Sequence, residues 1–283
     1  MIALGTWPTP IEEAPRLAAR LGLDRLLIKR DDLVGLGGGG NKVRKLQYTC
    51  AEGVAAGARM LITSGAPQSN HARLTAAAAA RLGLGCILVL TGERPADQRG
   101  NLLLDDLAGA EIVWTGDRAS DDVVAEVAAA HSDAYVIPFG GTSATSLQGY
   151  VDCARELREQ AGDFDHLVVA VGSGGTMAGL VRELGPERVL GVHTGAVPDS
   201  RTVVADLLDL DPALLRIDDS QVGAGYGTVT KAVREALRVT ARVEGIFLDP
   251  TYTGRAMAAL LASGLRGRVV FLHSGGLPGL FAH

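Results

Sequence analysis

The chain has 283 residues and a formal net charge of −5, with 47% apolar residues but only 4% aromatic ones. This length allows one large domain or two small ones, with a sizeable core built from Ala, Val, Leu and Ile. The acidic balance and the lack of a basic tail argue against nucleic-acid binding. The 37 glycines are far fewer than the one third that a collagen repeat requires.

No apolar run reaches the roughly 18 residues of a membrane span, and Met1 to Pro10 lack the pattern of an export signal. We therefore expect a cytoplasmic protein without membrane contact. The cysteines, Cys50, Cys86 and Cys153, are widely separated and fit neither a disulfide framework nor a zinc site. We interpret Cys50 and Cys86 as small buried hydrophobic residues, and we predict no metal site.

Short apolar runs alternate with alanine-rich helical patterns along the chain. In chain order the predicted strands are 26–29, 60–63, 86–90, 111–114, 135–137, 167–171, 189–192 and 269–272. The predicted helices are 43–57, 72–82, 102–108, 121–130, 146–160, 177–184, 229–239 and 254–263. This alternation predicts an α/β architecture in which parallel sheets are flanked by helices.

The domain organisation is inferred from two glycine-containing seams, at Gly37 to Gly40 and at Pro138 to Thr142. We predict a small α/β domain over 43–142 and a larger domain formed by 1–42 together with 143–283. The site would then lie between the two domains.

The glycine run from Gly37 to Gly40 leads through Asn41 and Lys42 into a predicted helix. Glycines allow positive φ angles and a close approach of the backbone to a ligand. A lysine at the start of a helix feels the positive end of the helix dipole, which favours the neutral amine that Schiff-base chemistry needs. A flexible turn followed by solvated basic side chains, or another type of anion-binding loop, would also fit this pattern.

A second loop, Gly172-Ser-Gly-Gly-Thr176, follows an apolar strand and precedes a helix. This geometry places backbone N–H groups around a phosphate at the helix N-terminus. Neither a Walker loop nor a dinucleotide fingerprint is present. A tight strand-to-helix turn without a ligand remains the alternative.

Three further stretches end predicted strands with small or polar residues. They are Ser64 to Arg73, Leu248 to Gly254 and Phe271 to Gly276. In the first, Ser69 or Asn70 is placed to cap a helix, or to face a ligand carboxylate and its Cα proton. Because open α/β sheets bind ligands at the carboxyl ends of their strands, these loops are expected to converge, together with Gly225-Tyr226-Gly227.

The motifs Gly39-Gly-Asn-Lys-Val-Arg-Lys-Leu46, Gln68-Ser-Asn-His-Ala-Arg73, Asp249-Pro-Thr-Tyr-Thr-Gly254 and His273-Ser-Gly-Gly276 occur in this order along the chain. In them the sequence resembles the 1-aminocyclopropane-1-carboxylate deaminase and D-cysteine desulfhydrase family of pyridoxal-phosphate enzymes. The resemblance implies the two-domain, tryptophan synthase β-like fold of type II pyridoxal-phosphate enzymes. It also implies a homodimer with pyridoxal 5′-phosphate in the interdomain cleft.

The resemblance also implies roles for particular residues. Lys42 would form the Schiff base with the cofactor, and Ser69 would act near the substrate Cα or carboxylate. Asn70 would contact the pyridoxal 3′-oxygen and Ser274 the pyridine nitrogen. The phosphate would be held by Lys45, Ser173, Gly174, Gly175 and Thr176, and the substrate pocket would be lined by Tyr226 and Tyr252.

Two departures from the family pattern bear on the substrate. Thr253 stands where the deaminases place Glu, which argues against opening of a cyclopropane ring, and Ala66-Pro67 replaces the usual Gly-Ile before Gln68. The stretches near 91–100 and 196–220 are shorter than in typical family members.

The leading hypothesis is a lyase that converts a small β-substituted amino acid to pyruvate and ammonia, as a D-cysteine desulfhydrase does. The alternatives are a cysteate sulfo-lyase, a deaminase or racemase of another small amino acid, and a non-catalytic phosphometabolite-binding protein.

Overall fold

The computed structural model describes residues 1–282 and contains two β-sheets covered by helices. The strands are β1 (Ile11–Glu13), β2 (Arg25–Arg30), β3 (Met60–Gly65), β4 (Gly85–Leu90), β5 (Glu111–Trp114), β6 (Ala134–Val136), β7 (His166–Val171), β8 (Val189–His193), β9 (Arg216–Asp218) and β10 (Arg268–His273). The helices are α1 (Pro15–Leu21), α2 (Lys42–Ala55), α3 (Asn70–Leu82), α4 (Asn101–Leu107), α5 (Ser120–Ala130), α6 (Gln148–Ala161), α7 (Gly175–Leu184), α8 (Ser200–Leu208), α9 (Lys231–Glu244) and α10 (Thr253–Ala262).

The larger sheet has six strands in the order β1-β2-β10-β7-β8-β9, and the smaller one has four in the order β5-β4-β3-β6. Every pair of neighbouring strands is parallel except β1 and β2. The predicted parallel α/β architecture is confirmed, with one antiparallel edge strand that was not predicted. Across residues 1–282, none of the helices combines the length and the apolar character that a bilayer crossing requires.

All of the strands and helices predicted from the sequence are present, with their ends shifted by a few residues. Four elements were missed: β1, α1, α8 and β9. Strand β1 has only three residues, two of them acidic, and so carries no apolar run. The stretch 196–220, predicted to be shortened, contains α8 and β9; the Asp199 side chain caps α8 by accepting hydrogen bonds from the N–H groups of Arg201 and Thr202.

Both faces of the larger sheet are buried, as the non-alternating apolar run in β7 predicts. Leu167 and Val169 pack on one face in a cluster with apolar side chains of α6, α7 and α8. Val168 and Ala170 pack on the other face with side chains of α1, α9 and α10. The cysteines are free and buried, and for Cys50 and Cys86 this agrees with their interpretation as small buried hydrophobic residues.

The strands of the smaller sheet all lie within the segment predicted as the small domain, and those of the larger sheet lie before and after it. The domain bounds 43–142 remain a prediction, because α2 packs on α3 of that segment and also on α6 outside it. Helix α2 therefore contacts helices on both sides of the predicted boundary.

A buried ionic network holds α2 against the larger sheet. The Arg44 guanidinium donates to both carboxylate oxygens of Asp31 at 2.9 Å and to those of Glu156 at 2.8 and 2.9 Å. The Tyr150 hydroxyl donates to Asp31 at 2.7 Å. Burial opposes ionisation of Asp31, but the charge and hydrogen bonds of Arg44 outweigh it and hold the pKa of the Asp31 carboxyl below the usual range. Buried charges of this kind are stable only while each one keeps its partner of opposite charge, and removal of one partner leaves the other uncompensated.

We expect Arg44→Met to lower the free energy of unfolding by about 3–5 kcal/mol, because Asp31 would remain buried without its cation. Urea denaturation followed by circular dichroism measures this change. Arg158→Met is the control, since Arg158 pairs with Glu183 on the surface, and such exposed pairs contribute at most about 1 kcal/mol. Equal losses in the two variants would contradict this account of the network.

Candidate active site

A cavity of about 510 Å³ lies at the carboxyl ends of the strands of both sheets. Its lining includes Ser64 and Gly65 at the end of β3, Gly172 after β7 and Gly275 after β10. The convergence predicted for the strand-ending loops is therefore observed. Most of the predicted site residues line this cavity: Lys42, Ser69, Asn70, Ser173, Gly174, Thr176, Tyr226, Tyr252 and Ser274.

Lys42 is the first residue of α2 and follows four glycines that all have positive φ, between 51° and 132°. Only glycine adopts such a run without strain. Gly40 also passes so close to Gly275 that a Cβ on Gly275 would lie 2.7 Å from the Gly40 Cα atom. This close packing places Lys42 beside the loop after β10. Burial lowers the pKa of Lys42 to about 8, and the neighbouring Lys45 opposes this shift.

Lys45 does not line the cavity but lies behind the glycine loop that follows β7. Its Nζ atom donates to the Thr142 hydroxyl at 2.9 Å and the Gly140 carbonyl at 3.1 Å, and it lies 3.5 Å from the Ser173 hydroxyl. Burial and the nearby Lys42 lower the pKa of Lys45 well below its usual range. Gly175, the other predicted site residue outside the cavity lining, packs against Lys45 and Thr142. The amine of Lys45 thus lies directly behind this loop.

The loop from Ser173 to Thr176 opens helix α7, whose N-cap residue, Gly174, provides no side-chain cap. The first N–H groups of a helix without such a cap are available to an anion, and the helix dipole favours negative charge there. Ser173 and Thr176 add hydroxyl groups, and the amide of Asn41 donates to Thr176 at 3.0 Å. Together with Lys45, these donors fit a phosphate group.

Ser69 is the N-cap of α3, and its hydroxyl accepts a hydrogen bond from the N–H of Ala72 at 3.1 Å. Of the two residues that the sequence allowed as cap, Ser69 therefore takes this position. Its hydroxyl also faces the cavity with its own proton available for donation. The capping bond fixes the oxygen in place without using the proton, so that capping and a role at the site are compatible.

Tyr226 and Tyr252 meet on one side of the cavity, where their hydroxyl oxygens are 2.6 Å apart. Burial raises the pKa of Tyr226, and burial together with the neighbouring Tyr226 raises that of Tyr252 well above the usual range. Both phenols are therefore neutral near pH 7. Since only one of them donates within the pair, the other retains a proton for a ligand.

The buried Arg255 of α10 holds the loop that carries Tyr226. Its guanidinium donates to the backbone carbonyls of Gly225 and Tyr226 at 2.9 Å, of Thr228 at 2.8 Å, and of Thr194. No local sequence pattern indicates this contact, because the acceptors are backbone atoms at least 27 residues away.

Thr253 has a structural role at the start of α10 and does not line the cavity. Its hydroxyl donates to the Asp249 carboxylate at 2.7 Å and accepts from the Asp249 N–H at 2.8 Å. The same carboxylate accepts from the N–H of Tyr252 at 2.8 Å. Thr253 thus helps to hold the turn on which Tyr252 is mounted.

Sequence reasoning missed or undervalued several residues of the site. Thr142 had been assigned only to a domain seam, although it bonds both Lys45 and Ser173. His71 is buried and lines the cavity. The sequence Gly140-Gly-Thr142 repeats the last three residues of the loop, Gly174 to Thr176, and this repetition is a signal that could have identified Thr142.

A partly buried lysine of lowered pKa beside a helix N-terminus that fits a phosphate is the type of site used by pyridoxal-phosphate enzymes. The family model for pyridoxal-phosphate dependent enzymes matches residues 2–275. The chain belongs to this family, and the predicted cofactor and enzyme class, a pyridoxal-phosphate-dependent lyase or deaminase, are confirmed.

The relatives agree with the resemblance found in the sequence. A putative 1-aminocyclopropane-1-carboxylate deaminase of Pyrococcus abyssi is 38% identical, with 99% of this chain and 92% of the relative covered. A D-cysteine desulfhydrase of Klebsiella pneumoniae is 40% identical, with 98% and 94% covered. The crystal structure of an ACC deaminase homologue matches with a TM-score of 0.87 at 36% identity, covering 99% of this chain and 93% of that one.

In cofactor-free protein, we expect the amine of Lys42 to become reactive towards acetic anhydride with a midpoint near pH 8. Labelling should rise through this pH because only the neutral amine reacts and burial lowers the pKa of Lys42 to about 8. Peptide mass spectrometry across a pH series measures it, with the exposed Lys231 as an internal reference. Labelling of Lys42 that begins only above pH 10 would contradict the lowered pKa.

Proposed function

We propose that the protein is a lyase of the D-cysteine desulfhydrase type, which converts a small β-substituted amino acid to pyruvate, ammonia and the released β-group. The observation that supports this most strongly is the position of Lys42, a partly buried amine of lowered pKa in the same cavity as the glycine loop after β7 and two neutral tyrosines. A phosphate site alone would need neither the lysine nor the tyrosines.

The residues of the cavity fit pyridoxal phosphate. Lys42 would hold it covalently, and Lys45 with the loop from Ser173 to Thr176 would hold its phosphate. Asn70 would donate to the ring oxygen, and the hydroxyl of Ser274 would face the ring nitrogen. When bound, the cofactor supplies the electron sink that acidifies the substrate Cα–H bond. Because Ser274 would place a neutral hydroxyl rather than a carboxylate at the ring nitrogen, this nitrogen would stay largely unprotonated. The negative charge left at Cα would then spread less into the ring, which would favour loss of the β-substituent.

The proton transfers are assigned to Lys42 and Ser69. Once the substrate amine has replaced it on the cofactor, the free Lys42 amine, with a pKa of about 8, would be suited to accept the α-proton near physiological pH. The β-substituent would leave with the electron pair of its bond to Cβ, and hydrolysis of the released aminoacrylate would give pyruvate and ammonia. The Ser69 hydroxyl, fixed by its bond from the Ala72 N–H, supports the substrate carboxylate or Cα during this step.

The tyrosine pair would form the wall that receives the β-substituent. Because burial keeps both phenols neutral, the free hydroxyl proton can be donated to a departing thiolate or sulfite. The position where the deaminases carry Glu is occupied by Thr253, whose hydroxyl is committed to Asp249. This chain therefore has no carboxylate there to assist the opening of a cyclopropane ring.

A panel of D- and L-amino acids with different β-substituents separates the proposed reaction from its alternatives. Pyruvate with sulfide from D-cysteine supports the proposal, pyruvate with sulfite identifies a cysteate sulfo-lyase, and amino-acid inversion identifies a racemase. Cofactor binding without turnover of any compound would leave a non-catalytic binding protein, an alternative that membership of an enzyme family disfavours.

We expect Lys42→Ala to lower kcat/KM by about 10³-fold, because it removes the general base. The absorption band of the Schiff base between protein and cofactor should also be lost, since no amine remains to form it. Lys231→Ala, at an exposed position of α9, is the matched control and should retain both properties. A Lys42→Ala variant that keeps the Schiff-base band would overturn the assignment of Lys42.

The homodimer and the cytoplasmic location stay predictions. Phe247, Phe281 and Leu107 are large apolar side chains with more than half of their area exposed. Light scattering of the purified protein tests the dimer directly.

A further inference from the structure

Asn70 lines the cavity, and its side-chain oxygen is already occupied by two donors from outside it. The Oδ1 atom accepts from the Nδ2 atom of Asn101 at 3.1 Å and from the Arg73 guanidinium at 3.3 Å. An asparagine amide has an oxygen on one side and a nitrogen on the other. With the oxygen held in this way, the Nδ2 group of Asn70 is the part that remains for a ligand in the cavity.

The orientation of the Asn70 amide follows from Arg73, because a guanidinium only donates. The Nε atom of Arg73 donates to the Asn101 Oδ1 atom at 2.9 Å. The Nδ2 group of Asn101 must therefore point the other way, towards the Asn70 oxygen and towards the Gln68 carbonyl at 2.8 Å. The donors of Arg73 thus determine the orientation of the Asn101 amide, and Asn101 in turn determines the orientation of the Asn70 amide.

Arg73 and Asn101 are themselves fixed. Arg73 is 1% exposed, and its guanidinium donates to the carbonyl of Gly39 at 3.1 Å and to that of Gly37. Asn101 is fully buried, and its backbone N–H donates to the Gln68 side chain at 2.8 Å. These contacts tie the start of α3 and the start of α4 to the glycine run that precedes Lys42.

We propose that Arg73 and Asn101 are positioning residues that present the Asn70 amide as a hydrogen-bond donor to an anionic oxygen in the cavity. The ligand atom is the phenolic oxygen of the pyridoxal ring. This inference rests on the proposed function, in which Asn70 contacts that oxygen. Neither Arg73 nor Asn101 belongs to the cavity lining; each acts through its neighbour.

The test compares the affinity of cofactor-free protein for pyridoxal phosphate with that for its 3-deoxy analogue, which lacks the phenolic oxygen. The readout is the ratio of the two dissociation constants, measured by equilibrium dialysis. A general loosening of the fold weakens the binding of both ligands equally and leaves the ratio of their dissociation constants unchanged. We expect the wild-type protein to prefer pyridoxal phosphate about tenfold, the size of effect of one hydrogen bond to a charged group.

The decisive variant is Asn101→Asp. It replaces the donor that faces Asn70 at 3.1 Å by an oxygen, which favours a turn of the Asn70 amide that directs its nitrogen towards Asp and its oxygen towards the cavity, at the loss of the longer bond of 3.3 Å from Arg73. We expect the tenfold preference to be lost. Asp106→Asn, on the exposed side of the same helix, is the matched control and should retain it. Asn101→Ala, which adds no charge, should lower the preference by a smaller factor because Arg73 still holds the Asn70 oxygen.

The direct effect of a new buried charge is separated by a double-variant cycle. If Asn101→Asp acts through Asn70, it changes the ratio in the wild-type background but not in Asn70→Ala. A further decrease of the ratio in Asn70→Ala would assign the effect to charge alone and overturn the inference.

The inference and the proposed function fail in different ways. If Asn70→Ala keeps the wild-type ratio, the proposed contact of Asn70 with the ring oxygen is wrong. If Asn70→Ala loses the preference while Asn101→Asp and Asn101→Ala keep it, the contact stands and the positioning role of Asn101 is wrong.

Discussion

Two lysine side chains, Lys42 and Lys45, are placed next to each other in the first turn of α2, at the positive end of the helix dipole. Within residues 1–282 neither has a carboxylate within ion-pair distance. Burial lowers the pKa of both, and the neighbouring Lys42 lowers that of Lys45 further. This arrangement is unfavourable without an anion. The two lysines therefore need an anion in the cavity and firm packing that holds α2 in place. The glycine loop after β7 provides the site for the anion, and the contacts of α2 provide the packing.

Helix α2 can hold such a pair because its other faces are firmly attached. Residues three apart on a helix share a face, so that Lys42 and Lys45 point towards the cavity and its loop. Leu46 and Cys50 pack into the core of the smaller sheet. Arg44 points in a third direction, into the buried network with Asp31. The unfavourable site is thus supported by an apolar contact on one side and a complete ionic network on the other.

The parts of the fold that the sequence predicted correctly are those with local signals. The apolar run of β7 and the glycine run before Lys42 carry their structure in neighbouring residues. The roles of Asn101 and Arg255 could not be predicted in this way. Asn101 meets Asn70 across 31 residues, and Arg255 meets the Thr194 carbonyl across 61. Their side chains look like ordinary polar positions on short helices until the fold brings their acceptors together.

Arg73 and Arg255 show a common way of fixing this site. Each is a buried arginine whose guanidinium donates mainly to backbone carbonyls of a loop, at Gly37 and Gly39 in one case and at Gly225, Tyr226 and Thr228 in the other. Burial lowers the pKa of both arginines, that of Arg73 to about 10.

A planar group with five donors can hold several carbonyls at once, which lysine cannot do with the same geometry. Both loops are therefore set by protein contacts alone, before any ligand enters. Donors that are already oriented need no rearrangement when charge develops during a reaction, and this is the condition under which a polar site accelerates chemistry most. Burying the two guanidinium groups costs free energy, but in return the hydrogen-bond donors and acceptors of the site are oriented before a ligand binds.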